Sequence, residues 1–183
     1  VLFDVAVPAS ALVDVLPDLP DGAAVLIQKP LGEELSSARQ IKHICQRKQF
    51  TAAVNFQLRY APFVLAAKHL VDSGRIGKLH SMEFRVTVHT PWGLWPFLEG
   101  LPRLEILYHS IHYIDLIRHF LGEPQSIYAK TTRHPANPKL AATRTNIILD
   151  YGDDTTATIA TNHGHDFGRR HQESYIRWEG TEG

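Results

Sequence analysis

A single lysine stands where an apolar segment of the chain ends. Residues 23–27 (AAVLI) are apolar, and Gln28, Lys29 and Pro30 follow them directly. In open α/β sheets, ligands bind in the crevice at the carboxyl ends of the strands, where an ammonium group stabilises a developing alkoxide. A solvated lysine before a turn proline is the alternative interpretation of Lys29.

The second candidate is a segment with helical periodicity, about residues 104–121. On helical spacing, one face carries the polar residues Tyr108, His112, Asp115 and His119, and another carries Ile111, Ile114, Ile117 and Leu121. A histidine accepts a proton from an alcohol near neutral pH. His112 is therefore the candidate base, His109 competes with it, and Tyr108 lies within one turn. A hydrogen-bonded polar helix face explains the same residues without catalysis.

Metal binding is the third possibility for this segment. Glu105, His109, His112 and Asp115 carry suitable ligand atoms, but their spacing is not His-Glu-x-x-His, and the other histidines are scattered. We therefore predict no metal. The single cysteine, Cys45, excludes a disulfide within the chain and a cysteine zinc site. It fits a reducing compartment, so we predict a cytoplasmic protein.

An aromatic loop precedes the histidine segment. Trp92, Trp95 and Phe97 alternate there with prolines. Such a loop can form one wall of a sugar-binding site. A contact between subunits or a plug in the core would use the same residues, and the sequence does not decide between these.

Composition limits the classes of partner. Lys plus Arg and Asp plus Glu balance at 19 each, so we expect neither nucleic acid nor an anionic membrane as a partner. No apolar run approaches the ~20 residues that span a bilayer. The hydrophobic fraction of 44% is ordinary for a globular protein.

The first third of the chain alternates apolar runs with helical patterns. Residues 1–7, 23–27 and 51–56 predict strands, the first of them covered on both faces, and residues 10–17 and 33–49 predict helices. This order with short connections predicts part of a Rossmann-type, doubly wound parallel sheet.

The pattern then changes. A helix is predicted from Pro62 to about Gly74. Alternation over 82–88 predicts a strand with one buried face, 146–151 and 155–161 predict a hairpin, and 175–178 predict a further strand. The fold class is therefore α/β: a partial parallel sheet (residues 1–58), followed by an α+β domain with a largely antiparallel sheet (residues 59–183).

Several motifs, in order, resemble the glucose–fructose oxidoreductase / inositol dehydrogenase (Gfo/Idh/MocA) family. The motifs are Val5 to Ser10 (VAVPAS), Val25 to Leu31 (VLIQKPL), Asn55 to Pro62 (NFQLRYAP), Gly74 to Gly77 (GRIG), His112 to Leu116 (HYIDL) and Leu121 to Pro124 (LGEP). Each motif is weak by itself, but the ordered set spans almost the whole chain.

The resemblance implies a Rossmann cofactor domain, a substrate domain whose sheet forms homo-oligomer contacts, and NAD or NADP as cofactor. It implies hydride transfer at a secondary alcohol of a sugar, polyol or inositol-like substrate. Lys29 and His112 would be catalytic, assisted by Tyr108 or His109. The expected cofactor-binding residues are Pro8, Gln28, Lys29, Pro30 and Asn55, and the expected substrate-binding residues are Arg59, Tyr60, Trp92 and His112.

Two residues depart from the family pattern. Gln28 stands where the family's Glu-Lys-Pro motif has glutamate, and Tyr108 stands where an aspartate commonly precedes the histidine by four positions. Because of these two departures, a non-catalytic, dinucleotide-binding regulator remains an alternative function. The glycine-rich phosphate turn is expected before residue 1, so we expect a chain truncated at its N-terminus and also at its C-terminus, inactive without the missing part.

Overall fold

The computed structural model describes all residues, 1–183, and they form two compact units, Val1–Gln57 and Leu58–Gly183. The first unit has three short parallel strands, β1 (Leu2–Val5), β2 (Ala24–Ile27) and β3 (Thr51–Val54), in the order β1-β2-β3. Helix α1 (Leu12–Val15), between two 3-10 turns, joins β1 to β2, and helix α2 (Leu35–Arg47) joins β2 to β3.

One face of the first sheet is buried. Alternate strand residues, Val5, Val25 and Ile27, pack with Leu12 and Leu16 around α1 and with Ile41 and Ile44 of α2. The prediction that the first strand is covered on both faces is wrong for this chain. Leu2 is 64% exposed, because both helices pack against the face that carries Val5.

The second unit contains a five-stranded mixed sheet in the order β5-β6-β7-β4-β8. Its strands are β4 (Leu79–Thr87), β5 (Ser126–Thr132), β6 (Arg144–Asp150), β7 (Thr156–Asn162) and β8 (Glu173–Gly180). All neighbouring pairs are antiparallel except β4 and β7. The predicted fold class is therefore confirmed. None of the helices is both long and apolar enough to cross a membrane.

Helices cover one face of this sheet. They are α3 (Pro62–Asp72) and α4 (Ile111–Leu121). The inward-facing residues Met82, Phe84, Ile147, Leu149 and Ile159 pack with Val64 of α3 and with Leu116 and Ile117 of α4. The predicted alternation of buried and polar residues in β4 is confirmed, because Met82, Phe84 and Val86 are buried.

A π-helical turn, Ile106–Ser110, leads directly into α4. The predicted row of Tyr108, His112, Asp115 and His119 assumes 3.6 residues per turn, which holds for the last three residues, in α4, but not for Tyr108, in the π turn. A π turn bonds i to i+5, so residues before it are rotated relative to those after it. Leu116, which the predicted apolar stripe omits, is fully buried.

Candidate functional site

The carboxyl ends of the first unit's strands carry a chain of polar side chains. The backbone N–H groups of Gln28 and Asn55 donate to the carbonyls of Val5 and Ile27, which continues the ladder past the strand ends. The Gln28 amide donates to Asp4 Oδ1 (2.9 Å) and accepts from Asn55 Nδ2 (3.1 Å). Both ends of the Gln28 amide are therefore fixed by neighbouring strands.

This geometry explains the departure at position 28. An ionised aspartate only accepts hydrogen bonds, so Asp4 requires a donor opposite it, and a glutamine amide provides one. A glutamate at position 28 would place a second carboxylate against Asp4. Gln28 and Asp4 are thus a matched pair.

Lys29 follows this polar chain directly. It is half-buried, and burial lowers the pKa of its ammonium group below the ordinary lysine value. The peptide bond from Lys29 to Pro30 is cis, and Pro30 is buried. The predicted residues Gln28, Lys29 and Asn55 therefore lie together at one edge of the parallel sheet, whereas Pro8, after β1, is exposed.

In the second unit, a buried carboxylate lies at the start of the helical segment. Glu105 is 0% exposed. Ser110 Oγ donates to both of its oxygens (2.9 Å each), and Thr161 Oγ1 donates to Oε1 (2.8 Å). His163 Nδ1 lies 3.2 Å from Oε1. Because Ser110 is the last residue of the π turn, these bonds fasten the turn that carries Tyr108 and His109.

Glu105 is ionised despite its burial. Burial by itself raises the pKa of this carboxyl, but the adjacent His163, Thr145 and Thr161 side chains outweigh burial and lower the pKa. A buried carboxylate with this many donors is a pre-organised acceptor.

An aromatic stack surrounds His109. Its ring lies 4.0 Å from the ring of His163, centroid to centroid, and Trp92 meets it edge-on at 5.4 Å. The Trp92 indole N–H donates to the carbonyl of His163 (2.9 Å). Tyr108 contacts Phe97 edge-on. The aromatic loop and the π turn are therefore packed against each other, which brings the predicted residues Trp92, Tyr108 and His109 into one region.

The other predicted site residues of the second unit are His112, Arg59 and Tyr60. His112 is in the first turn of α4 and is half-buried. Arg59 forms a two-pronged ion pair with Asp115 of α4 (2.7 and 2.5 Å), which raises the pKa of the guanidinium. Tyr60 is 76% exposed. The structure holds no group of three or more His, Cys, Asp or Glu side chains placed to hold a metal ion.

Sequence reasoning missed the Glu105–His163 pair. The two residues are 58 positions apart, and His163 was one of several scattered histidines. Thr161 in β7 and His163 directly after it meet the helical segment only in the folded sheet, through their contacts with Glu105. The one local signal is Glu105 itself, an acidic residue among apolar neighbours.

Comparison with known proteins shows which family the chain belongs to. Residues 64–183, most of the chain, match the GFO/IDH/MocA C-terminal domain. The chain belongs to the GFO/IDH/MocA family. The resemblance drawn from the ordered motifs is confirmed.

Sequence relatives and solved structures both resemble this chain. The chain is similar to the D-apiose dehydrogenase of Rhizobium rhizogenes, with 27% identity over 162 residues, which cover 86% of this chain and 46% of that protein. An oxidoreductase from Agrobacterium radiobacter, solved with NAD+, L-tartaric acid and magnesium, superposes with a TM-score of 0.81 at 24% identity, covering 97% of this chain and 53% of that one.

A myo-inositol dehydrogenase from Corynebacterium glutamicum also superposes with a TM-score of 0.81, at 17% identity, covering 100% of this chain and 54% of that one. These structural similarities show the fold. The GFO/IDH/MocA chain described here spans less than half the length of the curated relatives it matches and about half of the solved structures.

Proposed function

We propose that the protein is an NAD(P)-dependent oxidoreductase that transfers a hydride between a nicotinamide and a secondary alcohol of a sugar, polyol or inositol-like compound. The observation that carries the proposal is Lys29, a half-buried lysine with a lowered pKa at the carboxyl end of a parallel strand. This is the position at which open α/β sheets bind ligands. The names of the dehydrogenase relatives support the substrate class.

The residues at this edge fit a nicotinamide dinucleotide. Gln28 and Asn55 offer amide groups held by neighbouring strands, and amides suit a carboxamide and ribose hydroxyls. Pro8 and Pro30 would form the apolar sides of the dinucleotide site. When bound, the nicotinamide supplies the hydride chemistry. NAD and NADP fit this set of residues equally.

In this proposal the side chains handle the proton and the charge. The Lys29 ammonium donates to the reacting oxygen and stabilises negative charge there. His112 accepts the hydroxyl proton, with Tyr108 or His109 donating hydrogen bonds nearby. Arg59, Tyr60 and Trp92 would contact the rest of the substrate, and Arg59 would do so from its position on Asp115.

The exposed face of the five-stranded sheet supports the proposed homo-oligomer. Side chains on it alternate with the buried set, and three of them are large: Tyr128, Ile148 and Tyr175. Large exposed apolar patches mark protein contacts. Small-molecule substrates and a second copy of the chain are thus the proposed partners. The single half-buried cysteine supports the cytoplasmic location.

Substitution at the two proposed catalytic positions tests the activity. In the protein as its gene encodes it, Lys29→Met and His112→Asn should each lower kcat for NAD(P)-linked alcohol oxidation by about 10²-fold or more. NAD(P) affinity, measured by calorimetry, should stay within about threefold, since neither side chain is the main contact to the dinucleotide. Lys42→Met and His43→Asn, at exposed positions on α2, are matched controls and should be silent.

Unchanged turnover in both catalytic variants would reject these assignments. The Tyr108 departure favours a second candidate, a dinucleotide-binding regulator of the same family. It predicts tight NAD(P) binding with no NAD(P) reduction across a panel of sugars and cyclitols.

A further inference from the structure

Strand β6 carries opposite charges at its two ends, on the exposed face of the five-stranded sheet. Its outward residues are Asp150, Ile148, Asn146 and Arg144, and the residues between them are buried. Asp150 and Arg144 are six positions apart, which corresponds to about 20 Å along the strand. The two charges therefore cannot reach each other within one chain.

Neither charge has an oppositely charged partner in its own chain. The backbone N–H of Gly152 and the Ser126 hydroxyl donate to the Asp150 carboxylate (2.9 and 3.0 Å), and both bonds lower the pKa of Asp150. Arg144 Nε donates to the side-chain oxygen of Asn162 (3.1 Å). Neutral groups thus hold the carboxylate and the guanidinium in place while both charges stay available to another molecule.

Neighbouring residues give this half of the face opposite signs at its two ends. At the acidic end, Asp153 of the turn after β6 lines the same open depression as Asp150. At the basic end, Lys130 lies on β5, and Arg133 directly follows that strand. The charges of β4 and β8 form ion pairs with each other, so the uncompensated charge belongs to β6 and its surroundings.

A second copy of the chain is a partner whose charges match. Two copies that use the same face are related by a two-fold axis between the sheets, and this axis runs either across the strands or along them. With the axis across the strands, each strand lies over the same strand of the other copy in the opposite direction. Asp150 of each copy then lies over Arg144 of the other, so two pairs of opposite charges form.

With the axis along the strands, the charges do not match. β7 is the middle strand, so β6 of one copy would lie over β4 of the other, with both acidic ends on the same side of the interface. Ile148 would then face Glu83, since both lie opposite Thr158 of β7. A carboxylate buried against an isoleucine and like charges placed together both oppose association.

We propose that two copies pack through this face with their strands in opposite directions, and that Asp150 of each copy forms an ion pair with Arg144 of the other. The inference rests on the proposed homo-oligomer and deepens it, since it names the axis and the contacts that select it. Stacked sheets lie about 10 Å apart, a gap that an arginine and an aspartate span together. Thr158 and Ala160 of the middle strand lie closest to the axis, and their small side chains permit this approach.

Charge exchange between two chains tests the axis. In the protein as its gene encodes it, Asp150→Arg brings like charges together twice in the assembly, and Arg144→Asp does the same. Each variant should raise the dissociation constant by about tenfold or more, measured by sedimentation velocity over a range of concentrations. An equimolar mixture of the two variants should associate like wild type, because each introduced charge then meets its opposite.

The double variant Asp150→Arg/Arg144→Asp should also associate like wild type, since its charges are exchanged in both copies. Asp14→Arg, at an exposed position of α1 in the first unit, is the matched control. Alone it should leave association unchanged, and mixed with Arg144→Asp it should not restore association. Far-UV circular dichroism checks that each variant is folded.

The results separate a wrong axis from a wrong surface. If Ile148→Lys dissociates the protein but the mixture of charge variants does not associate, or if either charge variant alone associates like wild type, the proposed axis is wrong. If Ile148→Lys and both charge variants all associate like wild type, the proposed face is wrong, and the axis with it. NAD(P)-linked turnover is measured separately, so a restored mixture in a protein without turnover supports the ion pair and rejects the proposed activity.

Discussion

At the scale of single residues, position 28 shows how one neighbour decides which side chain is suitable. Asp4 accepts from the Gln28 amide, and Asn55 donates to it. A comparison of motifs alone treats Gln28 as a lost charge. In the structure a carboxyl group instead lies on Asp4 of the neighbouring strand, where it accepts from Gln28.

Gln28→Glu should therefore destabilise the first unit. The new carboxylate would face Asp4 at hydrogen-bonding distance, and because this edge is partly exposed we expect a cost of about 1 kcal/mol. Asp4→Asn combined with Gln28→Glu should restore the wild-type stability, since asparagine supplies the missing donor. Hydrogen exchange of the β1 and β2 amides measures the stability of the first unit in each variant.

Gln46→Glu, the same change at an exposed position of α2, is the control for the Gln28→Glu variant. Equal protection of the β1 and β2 amides in the two single variants would contradict the pairing of Gln28 with Asp4.

At the scale of elements, periodicity predicts where strands and helices lie but not how a helix is wound. The alternation in β4 and the hairpin of β6 and β7 follow from local sequence, because each strand has one buried face. The π turn at Ile106–Ser110 is fastened through Glu105, which accepts hydrogen bonds from Ser110 and from Thr161 of another element. No pattern within the helix predicts the π turn, so the predicted spacing holds from His112 to His119 but not back to Tyr108, while the segment's ends were right.

The π turn should depend on the charge of Glu105. Its pKa is lower in the folded than in the unfolded chain, so the ionised form stabilises the fold above the unfolded pKa of about 4.3. That stabilisation is lost as the pH falls through the lower, folded-state pKa. Glu105→Gln should thus cost about 2–3 kcal/mol at pH 7, and the cost should shrink as the pH falls below about 4.

Tryptophan fluorescence during urea unfolding measures this cost, because Trp92, Trp95 and Trp178 all lie in the second unit. Glu99→Gln is the matched control. Glu99 pairs only loosely with the exposed Lys139 (3.4 Å), so its loss should change the free energy of unfolding by less than about 0.5 kcal/mol at any pH. An equal effect of the two substitutions at pH 7 would show that the Glu105 cluster does not stabilise the turn.

At the scale of the whole molecule, the exposed face of the five-stranded sheet differs from an ordinary solvated surface. Ile148 is 49% exposed on that face and lies opposite Tyr128 in the neighbouring strand. Ion pairs from Arg85 to Glu173 and from Arg177 to Glu83 lie on β4 and β8, on the same face and on the other side of β7. Apolar and aromatic residues beside charged residues are the composition of a protein interface.

Ile148→Lys should therefore disrupt self-association. Two copies packed through the same face would bring two lysines into an apolar contact, which costs several kcal/mol when the charges are unpaired, so the dissociation constant should rise by about 10²-fold or more. Light scattering after size exclusion, over a range of concentrations, measures the mass. Ile127→Lys is the control, because Ile127 is 60% exposed in β5 but points to the opposite side from Tyr128. If Ile148→Lys and wild type have the same mass at every concentration while Ile127→Lys dissociates, the oligomer uses a different surface.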